Sequence, residues 1–151
     1  MRKRRGEIIM SKELDKQIVN CTRYFLSDTL SRAMLLRKSA ESVSSPSMDG
    51  MPKGTSKSDS QEIKLINAAD ASELIRRVNG ALSLMDDMQS TIIRLEYMKN
   101  EKPIKICMSL YIPERTFYRK QKQALLSFAY AFNGGQLVQE AYKLLQDKQT
   151  A

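Results

Sequence analysis

Between Pro113 and Phe132 the side chains sort into two faces, and that sorting is what most narrows the folds open to this chain. At 100° per residue with Phe117 as origin, Gln121, Ala124, Leu125, Phe128, Ala131 and Phe132 fall within about −40° to +80°, while Arg115, Arg119 and Lys122 fall between about 140° and 200°. This is a long amphipathic helix. Its phenylalanines face the protein, its cations face away, and Tyr118 sits on the border.

The residues before it give that helix a setting. Asn100-Glu-Lys-Pro103 stops one helix and starts another, because proline is tolerated in a first turn and forbids continuation from before. Ile104 to Leu110 is a short helix with Ile106, Cys107 and Leu110 inside. Tyr111 and Ile112 then make a tight connection to the long helix. This is helix-turn-helix spacing. Cys107 supplies the small side chain needed where the helices cross, Ile112 an apolar plug for the turn, and Phe117 the bulky inward residue near the start of the second helix.

In such a module the outward face at the start of the second helix enters a DNA major groove. An arginine there can reach the acceptor pair of guanine, worth about 1–3 kcal/mol of discrimination when bidentate. Arg115, Arg119 and Lys122 hold that position, with Glu114 and Tyr118 beside them. Lys120, Lys105, Lys102 and Lys99 suit phosphates, where each neutralised charge adds salt-dependent affinity. Leu126 and Tyr130, at about 180° and 220°, continue the outward face with apolar groups and need a cover, either the C-terminal helix or another subunit.

The remaining patterns are helical too. From Ser11, read as a cap, to about Lys38, Leu14, Ile18, Cys21 and Phe25 recur at spacings of four, three and four. That stripe requires a partner: a second copy, giving a homodimer, or Leu74 and Val78 of the same chain. Residues 39–60 read as a flexible Ser/Pro/Gly-rich linker. Glu62 to Met85 is helical, with Ile63, Ile66, Ala69 or Asp70, Leu74, Val78, Ala81 and Met85 on one side and Gly80 weakening its last turns. Asp86-Asp87 opens a helix through Tyr97, since carboxylates suit a helix N-terminus. Asn133-Gly-Gly135 is a stop signal before a last helix, Gln136 to about Gln146. The fold class is all-α, divided into an N-terminal helical segment (1–38), the linker (39–60) and a helix-turn-helix domain with a C-terminal helix (61–151).

Composition bounds the function. With 25 Lys and Arg against 17 Asp and Glu the chain carries +8, which suits a polyanionic partner. There is no histidine, and the two cysteines, Cys21 and Cys107, are far apart, so neither a His-based triad nor a four-ligand zinc site can be built in one chain. No nucleophile, base and oxyanion donors converge, so the expectation is a non-enzyme without metal or cofactor. Met1-Arg-Lys-Arg-Arg-Gly6 carries the charge of a secretory leader, but Glu7 to Lys16 offers no apolar run to extend it, and no transmembrane span is present. A reduced, cytoplasmic protein is expected.

Ala81-Leu82, the Ile92-Ile-Arg-Leu-Glu-Tyr97 helix, Ile106-Cys107 with Leu110, and Arg115-Thr-Phe-Tyr-Arg119 before Ala124-Leu125 resemble region four of a sigma factor. Over most of the chain, Ser45-Pro-Ser-Met-Asp-Gly-Met-Pro-Lys-Gly54, that helical core, Pro113-Glu-Arg-Thr-Phe-Tyr-Arg-Lys120 and Ala124-Leu-Leu-Ser-Phe-Ala129 resemble the ArpU family of phage-encoded regulators. The resemblance implies a DNA-binding activator of late packaging and lysis genes, working in a bacterial host cell. It also brings bacterial RNA polymerase into view as a partner. Two positions depart from the usual pattern: Pro113 stands where Ser or Thr would cap, and Tyr111 where such turns often use glycine. The competing readings are a protein-interaction module docking RNA polymerase or a sigma-like partner, and the small DNA-recognition subunit of a phage terminase.

Overall fold

A computed structural model describes the backbone of residues 2–43 and 67–150, with side chains for 11–43 and 67–150. Among these residues every regular element is helical. The α-helices are α1 (Arg2–Tyr24), α2 (Leu30–Val43), α3 (Ala68–Ser83), α4 (Asp87–Ile93), α5 (Pro103–Leu110), α6 (Glu114–Ala131) and α7 (Gln136–Thr150). Two π-turns, Phe25–Thr29 and Arg94–Met98, and a 3-10 turn at Phe132–Gly134 complete them. None of the described helices is long and apolar enough to cross a membrane.

The first helical stretch is longer than its sequence pattern suggests. It already runs from Arg2, so Ser11 lies inside it rather than at its start, and it passes Lys38 to end at Val43. Residues 39–43, expected in the linker, are therefore helical: Arg37 pairs with Glu41 one turn on, and Ser42 Oγ donates to the Ser39 carbonyl at 2.8 Å. Residues 44–60 of that linker lie outside the described residues, as do Ile63 and Ile66.

The π-turn at Phe25–Thr29 explains where the inward face goes. Continued without interruption, the Leu14, Ile18, Cys21, Phe25 stripe would bring Arg32 inward. One extra residue in the turn rotates the rest of the helix by about 100°, so Leu26, Leu30 and Ala33 are buried instead and Arg32 pairs outside with Asp28 at 3.2 Å. The two halves consequently meet different neighbours. α1 lies on α6 and α7, while α2 lies on α3. The stripe is covered inside the chain, by α6 and α7 rather than by Leu74 and Val78, and Ile18 at its centre is fully buried.

α3 begins where Asn67 caps it, its Oδ1 accepting from the Asp70 amide at 2.9 Å. Its buried residues are Ala71, Ile75, Val78, Ala81 and Leu82. Ala69 and Asp70 are both exposed and Leu74 is half-buried, so the inward face is centred away from the expected side. The reason is that α3 is wedged between α2 on one flank and α6 with its 3-10 turn on the other, and a helix with two neighbours buries a broader arc than one stripe.

Two apolar cores result. The larger joins Ile18, Leu26, Leu30, Val78, Leu82, Leu125, Phe128, Phe132 and Leu137, with the Phe25 ring 4.8 Å from Phe132 and 6.2 Å from Phe128. The smaller joins Ile92, Ile106, Cys107 and Phe117, flanked by Met88, Leu95, Leu110 and Ile112. At the other end of α6, Asn133, Gly134 and Gly135 take positive φ in succession (48°, 65° and 86°), which two glycines make affordable before α7. α7 runs past Gln146 to Thr150 and buries Leu137 and Ala141. Leu126 is half-buried against the larger core, while Tyr130 stays exposed.

Candidate nucleic-acid interface

Pro103 opens α5 at its first position, and α5 closes on Tyr111 in the left-handed region (φ 54°, ψ 43°). The Ile112 amide donates to the Cys107 carbonyl at 3.1 Å and the Tyr111 amide to the Met108 carbonyl at 3.4 Å. These are the two bonds of a Schellman end, with Ile112 and Cys107 packed in the same small core. The turn is therefore not reshaped to suit tyrosine. Tyr111 adopts the conformation that glycine normally supplies, and its side chain, 94% exposed, gains no packing in return.

Pro113 is the N-cap of α6 in extended conformation and makes no side-chain cap bond. Its carbonyl accepts from the Phe117 amide at 3.0 Å, and Glu114 places a carboxylate in the first turn, where the helix dipole favours it. The inner face of α6 is buried at Phe117, Gln121, Ala124, Leu125 and Phe128, where the 100° projection places it; Ala129, at about 120°, is buried beyond that arc, and Ala131, within it, is half-buried. On the other face Glu114, Arg115, Tyr118, Arg119 and Lys122 are exposed, and Lys120 is half-buried. The Tyr118 ring meets Phe117 edge-on at 5.3 Å, so the border tyrosine is held by the core phenylalanine. Lys102, Lys105 and Lys99 are exposed around the start of α5.

Arg115, Arg119 and Lys122 stand at i, i+4 and i+7, so they share one face over about 10 Å of helix. No carboxylate among the described residues pairs with any of them, nor with Lys102, Lys105 or Lys120. Elsewhere the arginines do find partners: Arg76 and Arg77 both hold Glu73, at 2.7 and 3.0 Å, and keep its carboxyl down at about 2. An exposed face of unpaired cations is free to neutralise phosphates. The opposite side of the same helix is buried in the two cores.

Two features here go beyond the sequence reading. Gln121, inside the apolar stripe, donates through Nε2 to both carboxylate oxygens of Glu96, at 2.6 and 2.7 Å. Burial pushes the Glu96 carboxyl above its ordinary range, while the Gln121 bond and the nearby Arg23 guanidinium of α1 pull it back. Tyr97 is also raised, by burial and by the Glu96 charge. A polar residue in an apolar stripe signals that a partner is needed, but nothing in the sequence names a residue 25 positions earlier. The second feature is a pair of exposed apolar residues on α5, Ile104 (69%) and Met108 (71%), with the exposed Tyr111 just past its end. Its signal was the i, i+4, i+7 spacing of those three residues.

No family model, curated protein or solved structure matches this chain.

Proposed function

We propose that this protein is a sequence-specific double-stranded DNA-binding transcriptional regulator that reads the major groove with the first turns of α6. One observation carries the reading: the helix after the α5 turn is buried along one side, and its other side presents Arg115, Arg119 and Lys122 exposed and without carboxylate partners among the described residues. Arg115 and Arg119 are the base-reading residues, Lys122 extends their face, and Glu114 and Tyr118 border it. Lys102, Lys105 and Lys120 contact phosphates. The role as an activator of phage late genes in a bacterial host cytoplasm rests on the ArpU resemblance.

The test is duplex binding over a range of salt, first with a random-sequence library and then with the enriched site. Replacing Arg115, Arg119 and Lys122 together by Ala is expected to abolish the preference for the enriched site over scrambled DNA. Lys105→Ala is expected to weaken both alike and lower the salt slope by about one. Unaltered selectivity in the triple variant removes α6 as the reading helix.

The exposed Ile104, Met108 and Tyr111 favour a second reading, a module that docks RNA polymerase or a sigma-like partner through α5. Retention on RNA polymerase at high salt with no affinity for any duplex supports that reading against the first.

A further inference from the structure

Along α6, Phe117 belongs to the smaller core and Ala124 to the larger, with Gln121 between them. Along α4 and its π-turn, Ile92 and Leu95 belong to the smaller core while Ile93, Tyr97 and Met98 pack on the larger, with Glu96 between. The Glu96–Gln121 hydrogen bonds therefore sit on the seam where the reading head, α5 with the start of α6, joins the body of the molecule. The same π-turn is tied to the body a second time, through Arg94 Nη1 donating to Asn79 Oδ1 of α3 at 3.0 Å. Arg23 of α1 adds its charge from the body side.

The rest of the inner face of α6 is apolar, and among the described residues Gln121 and Thr22 are the buried polar ones. Apolar contacts are non-directional and tolerate small rotations of a helix about its axis. A pair of short hydrogen bonds does not. With side chains reaching about 5–6 Å from the axis, a rotation of about 20° carries their ends about 2 Å, enough to break a bidentate contact to a base.

We infer that Glu96 and Gln121 are positioning residues, whose hydrogen bonds across the seam fix the rotation of α6 and so the aim of Arg115 and Arg119. This rests on α6 being the DNA-reading helix. The pair touches no DNA itself; it acts through the helix it holds. Its loss leaves the cationic surface intact but misaimed, so discrimination falls while charge-driven binding remains.

The experiment uses the full chain and the duplex enriched by the wild-type protein, against a scrambled duplex of equal length. The double exchange Glu96→Leu with Gln121→Leu removes both polar partners together and so avoids stranding either one. Circular dichroism and thermal melting check that it folds. The expected result is a loss of about tenfold in the ratio of specific to scrambled affinity, the value of one misaligned contact, with scrambled affinity at low salt unchanged. Glu96→Gln, which keeps an acceptor for the Gln121 amide, is expected to retain the ratio. If the double exchange does not fold, Gln121→Met, which leaves Glu96 its solvent-facing side, is expected to give the same loss. An unchanged ratio in a folded double or Gln121→Met variant overturns the inference, and so does an equal loss in Glu96→Gln. Should the wild-type protein enrich no sequence, the reading of α6 falls and takes this inference with it; should it enrich one that the double variant reads equally well, only the positioning role falls.

Discussion

At the scale of single residues, the turn between α5 and α6 holds a conformation its side chain does not favour. Left-handed backbone costs a residue with a Cβ about 1–2 kcal/mol, and Tyr111 recovers none of it through burial. Tyr111→Gly is expected to raise stability by up to about 1 kcal/mol, the remainder being lost to the freer unfolded chain, as read from urea unfolding. A decrease would show that the phenol ring has packing value after all. Glu96 gives a second expectation, with a definite sign. Its carboxyl titrates above 4.5 in the folded state because burial disfavours the charge, so the folded protein holds that proton more tightly than the unfolded one. Its contribution is fully present below 4.5 and is lost as pH rises through the raised value. Glu73 runs the other way: held at about 2 by Arg76 and Arg77, it contributes above 4.5 and loses that as pH falls toward 2, weakly, since it is solvent-exposed. Glu96→Gln should therefore raise stability at neutral pH and flatten its decline above 4.5, measured by melting at a series of pH values from below 4.5 to neutral. An unchanged pH profile would mean that the carboxylate is well solvated.

At the scale of elements, the reading head stands on a core of its own. Phe117 is fully buried between Ile92, Ile106 and Cys107, and Phe117→Ala should cost about 3–5 kcal/mol there. Because Phe25, Phe128 and Phe132 are packed elsewhere, that loss should open α5 and the start of α6 before α1, α2 and α7. Hydrogen exchange can see this directly: protection should fall first between residues 103 and 117. Uniform loss along the chain would show that the two cores unfold as one. Much at this scale was legible in the sequence. Pro103, Pro113 and Asn133-Gly-Gly135 mark helix boundaries because they act through the local backbone, and the α6 faces emerge from 100° steps alone. The ends at Arg2 and Val43 were not legible, the apolar stripe placing them at Ser11 and Lys38, because a stripe marks where a helix is packed and not how far its backbone continues.

For the whole molecule, the N-terminal helices are structural members of the same body that carries α6. α1 covers α6 and α7 while α2 covers α3, and the π-turn between them lets one chain segment serve two neighbours. The sequence by itself determined the helical class, the division of α6 into a phenylalanine face and a cationic face, and the short-helix, turn, long-helix order before it. Those properties depend on residues within a turn or two of one another. Only the tertiary structure decided which helix covers the Leu14 to Phe25 stripe, that the apolar interior splits in two, and that Glu96 meets Gln121 at the division. Hydrophobic attraction has no preferred partner, so a stripe announces that it will be buried without saying by what. The choice is made when all the helices pack at once.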